Sequence, residues 1–314
     1  MNEGVQKFHA LTTSRLGGVG LILGTLMGIA LSVKPMPNVA SLGGWLLIAS
    51  IPVFAGGLIE DLTHSVSAGL RLLLSLLSAL FVWVVLDVGV SRTDIQWIDY
   101  FLVFKLFALA LTMLVVSGFT HSVNLIDGFH GLSSGTMSLI LVGLALFSIE
   151  YKDWTMVNLC FLMLAVNMGF FVWNWPFGKI FQGDSGAYFM GFWVIELGLL
   201  VVQRLPSMSP MAPLVLGFYP ILETVFTMYR RKFVRSHPIG HPDALHLHTL
   251  IFRRLARKNA LVAPLIWPLT AVNGLVALIF SQNTHALLIW MLVFTLIYTL
   301  VYARIVRFQK LWFY

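Results

Sequence analysis

Ten stretches of this chain are each long enough to cross a bilayer as a helix and carry almost no charge. They cover residues 17–34, 42–59, 70–89, 100–120, 131–149, 156–174, 186–203, 209–228, 260–280 and 286–304. A hydrocarbon core takes about 20 residues of helix, and it leaves no unpaired backbone group tolerable. Each run is therefore predicted to be a transmembrane helix. The short alternating strands of a membrane barrel do not occur in the sequence. Only 11% of the 314 residues are charged, against about 25% in soluble domains. The expected fold class is all-α: a polytopic integral membrane protein, one transmembrane domain over 1–314 with a loop at 229–259.

The net charge of +7 would suggest nucleic acid in a soluble chain. In a membrane protein, positive charge marks cytoplasmic loops, so no nucleic-acid partner is expected. The single cysteine, Cys160, excludes an intrachain disulfide. The first sixteen residues are polar and lead into no signal-like cleavage site, so no cleaved leader is expected. Gly20, Gly24 and Gly28, four residues apart, read as a close-packing stripe.

Ten helices put both termini on one side. That side holds fifteen of the 20 Lys and Arg, Lys34, Arg92, Lys152 and Arg204 lie on the other, and Lys105 falls inside a helix. The charge bias makes the terminal side cytoplasmic. On this map GLIEDLTHS, SVNLIDGFHG, FQGDSG and HPDALHLH all fall at the cytoplasmic face. Trp97, Trp154 and Trp175, near helix ends, read as interface anchors.

Glu60 and Asp61 are adjacent acids at a helix end, and Asp127 and Asp184 stand in glycine-rich turns beside Asn124. One such acid is ordinarily a cap or a solvated charge. Four on one face suit a divalent cation with a phosphate substrate, because Mg²⁺ takes oxygen ligands and leaves several positions to phosphate and water. His246 and His248 do not share a helix face and make a weak metal signal alone. The basic residues around them fit phosphate or anionic lipid equally well. Lys105, Glu196 and Glu223, within helices, read as paired or snorkelling and receive no role.

GLIEDL, NLIDGFHGL, FQGDSG and PDALHLHTLIFRR, with QKFH and SRLGGVG at the start, resemble the polyprenyl-phosphate N-acetylhexosamine-1-phosphate transferase family from about residue 4 to 260. The resemblance implies transfer of a sugar 1-phosphate from a UDP-N-acetylhexosamine to undecaprenyl phosphate at the cytoplasmic face, with release of UMP. This is the initiating step of a cell-surface polysaccharide. It also implies Mg²⁺ dependence, with Mn²⁺ as the ion able to substitute, and a bacterial inner-membrane location; a homodimer is compatible with it. By position, Asn124 and Asp184 correspond to metal ligands, and Asp61, Asp127 and Glu60 to catalytic acids. Lys7 and His9 in the first loop, and His246, His248, Arg253 and Arg254 in the late loop, correspond to substrate-binding residues.

The chain departs from the pattern in places. The acidic pair, usually Asp-Asp, is Glu60-Asp61; a frequent second Asp is His130; and the third histidine is Thr249. The family's usual helix ahead of the first loop has no counterpart, which implies a short form or an incomplete start. The late loop looks like the branch using simple N-acetylated hexosamines; the alternative is the phospho-N-acetylmuramoyl-pentapeptide branch. The sequence leaves one displacement or two open, with Asp61 or Asp127 as base or nucleophile. A transporter is the rival of another class, but transporters place binding groups near the midplane, and here the acids lie at the rim.

Overall fold

A computed structural model of the chain describes residues 13–234, 236 and 245–307. Among these residues the apolar runs are helical and no strand occurs. Helix α1 is Gly17–Ser32, α2 Pro37–Thr63, α3 Ala68–Leu86, α4 Gln96–Leu102 and α5 Lys105–Ile126. Then come α6 (Leu132–Glu150), α7 (Trp154–Asn174), α8 (Gly183–Arg204), α9 (Met211–Leu216) and α10 (Phe218–Tyr229). The last are α11 (Leu247–Ile251), α12 (Val262–Ile279) and α13 (Thr284–Arg307).

Eight helices among the described residues are long and apolar enough to cross a membrane: α2, α3, α5, α6, α7, α8, α12 and α13. The expectation was ten. Helix α1 is shorter, at 16 residues. The run over 209–228 breaks at Gly217 into α9 and α10. Gly217 lies so close to the Phe119 ring that a Cβ there would be 2.6 Å from it. Pro220 follows in the first turn of α10, where a missing N–H leaves no helical bond unmade. Lys105, expected inside a helix, is the exposed first residue of α5, because the chain breaks between α4 and α5.

Helix α8 is the axis of the bundle. It packs against α1, α2, α5, α6 and α7, and Phe189, Phe192, Trp193 and Leu197 along it are fully buried. A helix apolar on every side belongs inside a bundle, not on its lipid face. Close approach comes from small residues. A Cβ at Gly18 would lie 2.3 Å from Ser185 Oγ, and one at Gly57 2.5 Å from the Ser185 backbone. The expected stripe is only partly a contact: Gly24 and Gly28 meet Val166 and Leu162 of α7, whereas Gly20 faces open space. A second apolar cluster, including Phe129, Tyr219, Leu250, Ile266 and Phe294, joins α10 to α13.

The polar residues gather at two ends. At one, Arg204 at the end of α8 pairs with Asp153 at the start of α7 at 2.5 Å, and Thr284 donates to Asp94 at 2.9 Å. At the other lie the ends of α2, α5 and α7 and the beginnings of α1 and α8. Trp97 and Trp154 are exposed, as interface anchors should be, but Trp175 is not one. Its ring packs on Phe171 and Trp267, and its Nε1 donates to the Ala260 carbonyl at 2.9 Å. It fastens the end of α7 to the segment leading into α12.

Candidate active site

The site is built around the first turn of α8, whose leading N–H groups have no partner within the helix. Asp61, near the end of α2, supplies one. Its Oδ1 accepts from Asp184 N at 2.8 Å; its Oδ2 accepts from Ser185 N at 2.9 Å and Ser185 Oγ at 2.7 Å. A carboxylate there also meets the positive end of the helix dipole. Gly183, at φ +71°, makes the entry possible, since a Cβ would fall 2.2 Å from the Arg15 carbonyl and 2.5 Å from Asp61. The preceding segment is stitched to the start of α1: Phe181 N donates to Ser14 O, and Gly17 N to Phe181 O, both at 2.9 Å.

Asp184 follows as the second residue of α8. Arg71 of α3 donates to its Oδ2, and Asn124 Nδ2 of α5 donates to its Oδ1 at 3.0 Å. Asp127 caps the end of α5 close to both acids. Burial first, then the charges of Asp184 and Asp61, push its carboxyl up to about 8, against a smaller opposing pull from Arg15. Glu60 sits at the edge of this group, where its charge reaches Arg71. Its Oε2 accepts from Val66 N at 2.8 Å and closes the turn between α2 and α3.

This donor set is hard oxygen throughout. Three carboxylates close enough to repel one another fit a divalent cation, which would relieve that repulsion. Among the described residues no three His, Cys, Asp or Glu side chains are arranged to enclose an ion. Mg²⁺ needs only one or two protein oxygens when phosphate and water supply the rest, so Asp184, Asp127 and Asn124 suit it.

The histidines form an adjoining layer. Glu223 of α10, assigned no role from sequence, is buried at the start of α11. Its Oε1 lies 3.2 Å from His246 Nδ1 and accepts from Leu247 N at 3.2 Å, while Tyr298 OH of α13 donates to Oε2 at 2.7 Å. Facing a carboxylate, Nδ1 must carry the proton. Arg230 Nη1 holds the Leu245 carbonyl at 2.7 Å. The His246 and His248 rings stack at 5.0 Å, tilted by 5°. Both are buried. His248 packs edge-on against Phe129, and a Cβ on Gly128 would lie 3.5 Å from its Nε2. Thus His248 touches the loop that carries Asp127.

His130 braces the same loop. Its N–H donates to Asn259 Oδ1 at 2.7 Å, and its Nδ1 lies 3.2 Å from the Pro176 carbonyl. Arg253 is exposed and Arg254 partly so, in a π-helical turn after α11. Lys7 and His9 lie outside the described residues, as do 237–244 of the late loop. The structure places Asp61, Asn124, Asp127 and Asp184 together, and adds Arg71, read from sequence only as one of the charges on the N-terminal side, and Glu223, for which an acid within an apolar run was an available signal.

The family model for glycosyl transferase family 4 matches residues 44–202. That span contains Glu60, Asp61, Arg71, Asn124, Asp127 and Asp184. The chain is similar to a probable undecaprenyl-phosphate N-acetylglucosaminyl 1-phosphate transferase of Bacillus subtilis, 25% identical over 86% of this chain and 75% of that one. An undecaprenyl-phosphate alpha-N-acetylglucosaminyl 1-phosphate transferase of Thermotoga maritima is 26% identical, over 82% and 74%. A phospho-N-acetylmuramoyl-pentapeptide-transferase of Caldicellulosiruptor bescii is 28% identical, over 90% and 87%.

Proposed function

The chain belongs to glycosyl transferase family 4, and on that premise we propose that it transfers a sugar 1-phosphate from a UDP-N-acetylhexosamine to undecaprenyl phosphate. The observation that carries this reading is the convergence of Asp61, Asn124, Asp127, Asp184 and Arg71 at one end of a membrane bundle. The printed activities of the Bacillus and Thermotoga relatives support the acceptor and the transferred group. The excess of Lys and Arg, fifteen to five once Lys105 is counted at the far end of α5, supports a cytoplasmic face for this end and a bacterial inner-membrane location.

In the reaction a phosphate oxygen of the lipid attacks the β-phosphorus of the sugar nucleotide. The bond from that phosphorus to the bridging oxygen breaks, and UMP departs with the electron pair. Such transfers depend on positioning and charge neutralisation. Mg²⁺, when bound at Asp184, Asp127 and Asn124, would supply a Lewis acid for the diphosphate oxygens. Asp61 has both oxygens engaged by α8, so its part is to aim Asp184. Asp127, crowded by Asp184 and Asp61, is the carboxyl whose charge a bound cation would relieve most. A lipid phosphate is already largely ionised, so little base catalysis is needed. Glu60 shapes the turn beside Asp61. His246 and His248 connect the acid loop to the basic segment, where Arg253 and Arg254 suit a nucleotide diphosphate through their planar forks. Lys7 and His9 would complete the nucleotide side.

The test is UMP release by purified protein supplied with Mg²⁺, undecaprenyl phosphate and a panel of UDP-sugars. Release that needs both the lipid and an N-acetylhexosamine donor is expected. Absence of turnover with every donor would sink the reading. The Caldicellulosiruptor similarity favours a second one, so the panel includes UDP-N-acetylmuramoyl-pentapeptide; turnover with that donor alone would select it.

A further inference from the structure

Arg71 belongs to none of the motifs that drew attention to the site. It comes from α3, 113 residues before Asp184 in the chain, and its guanidinium donates to Asp184 Oδ2. Asn124 takes the other oxygen at 3.0 Å. The carboxylate best placed for a divalent ion is thus already neutralised by a cation built into the protein. The two side chains are 20% and 25% exposed, so solvent screens the pair less than it would at an open surface. Arg71 Nε is buried without a hydrogen-bond partner, which leaves the guanidinium with a donor to offer.

A metal ion and Arg71 cannot both sit against Asp184 Oδ2 without strong repulsion between the two cations. Once displaced, the half-buried guanidinium keeps the charge of Glu60 near it, but Glu60 Oε2 is already taken by Val66 N, so it needs a further anion to pair with. A diphosphate arriving with the metal supplies one, and the planar fork of arginine matches phosphate geometry.

We propose that Arg71 is an exchangeable counter-ion: it holds Asp184 while the site is free of ligands, then releases it to the metal and moves onto a phosphate oxygen of the sugar nucleotide. This rests on the reading of Asp184 as a metal ligand and adds a residue to it. Its consequence is that metal and nucleotide assist each other's binding, because each relieves the charge imbalance created by the other.

The test measures two quantities expected to move in opposite directions. Mn²⁺ binding to the detergent-solubilised protein alone is followed by electron paramagnetic resonance, and transferase kinetics are measured separately. R71Q removes the competing cation and is expected to bind Mn²⁺ about fivefold tighter than wild type. The same variant should raise KM for the UDP-sugar or lower kcat by about tenfold or more. R71K keeps the charge and should bind Mn²⁺ within about twofold of wild type, yet not restore full kinetics, because an ammonium lacks the fork. Should R71Q not fold, R71M keeps the apolar stem and repeats the test. A merely structural Arg71 would weaken metal binding and catalysis together. If R71Q and R71M bind Mn²⁺ no tighter than wild type while D184N abolishes binding, this inference alone is overturned. If D184N binds Mn²⁺ like wild type, Asp184 is not the ligand, and the metal reading falls along with it.

Discussion

The carboxylate of Asp61 accepts the backbone N–H of Asp184 at 2.8 Å, so an acid on α2 fixes the helical start that carries an acid on α8. This separates two duties that adjacent acids in a motif would seem to share. Asn keeps one of the two accepting oxygens and turns an NH2 donor toward the other contacts, whereas Ala keeps neither acceptor. D61N should keep kcat within about tenfold of wild type, while D61A should lose about 100-fold or more. Equal losses in steady-state kinetics of the two variants would mean that Asp61 meets the substrate chemically.

Glu223 should matter to only one of the two substrates. E223A leaves the Leu247 N–H and the Tyr298 hydroxyl without their acceptor and should cost about 1–3 kcal/mol of stability. E223Q keeps an acceptor and should cost less. Both should raise KM for the UDP-sugar with little change for undecaprenyl phosphate, since the segment they loosen leads into Arg253 and Arg254. Kinetics with each substrate varied in turn checks this; equal changes for both substrates would count against it.

Orientation can be tested without disturbing the site. The native Cys160 is buried, so it contributes little background to labelling. Single cysteines at Ser91 and Ser236, both exposed, should react with an impermeant maleimide from opposite sides of the membrane, Ser91→Cys from outside intact cells. Labelling of Ser236→Cys from outside would invert the arrangement.

The opposite end offers a pH test. Despite a burial cost, the hydrogen bond and charge of Arg204, with help from the Met156 and Thr155 backbone, hold the Asp153 carboxyl below its ordinary 3.8. A depressed folded value means stability that is complete above the ordinary value and lost as pH falls through the lower one. Wild type should therefore unfold at a higher temperature than R204Q near neutral pH, with the gap narrowing below about pH 4. A gap independent of pH would remove the ion pair as its cause.

The helices were readable because apolar runs of bilayer length have few other solutions, and the acids were readable because Asp127 and Asp184 stand in glycine-rich turns and Glu60 and Asp61 are adjacent at a helix end. What joins them was not. Asp61 and Asp184 are 123 residues apart and Arg71 and Asp184 are 113, so no local pattern signals either pairing. The break at Gly217 was hidden because its neighbours stay apolar and only the Phe119 ring reveals the crowding. Trp175 looked like a lipid anchor for the same reason: its position in the chain is right, and its partners Trp267 and Ala260 come from α12 and the segment leading into it.

Helix α8 is tied at both ends, to Asp61 at one and to Asp153 at the other. Its 22 residues span about 33 Å at 1.5 Å each, close to the hydrocarbon thickness of a bilayer. The helix thus works as a ruler. A thicker or thinner bilayer cannot stretch it, so the mismatch must be taken up by tilt or by deformation of the lipid around the protein. The depth of Asp184 is set relative to the far side of the protein, while the phosphate of a polyprenyl acceptor floats with the near headgroups. Lipid composition therefore becomes a variable of catalysis, adjusting how far the acceptor must travel to reach a site that does not move.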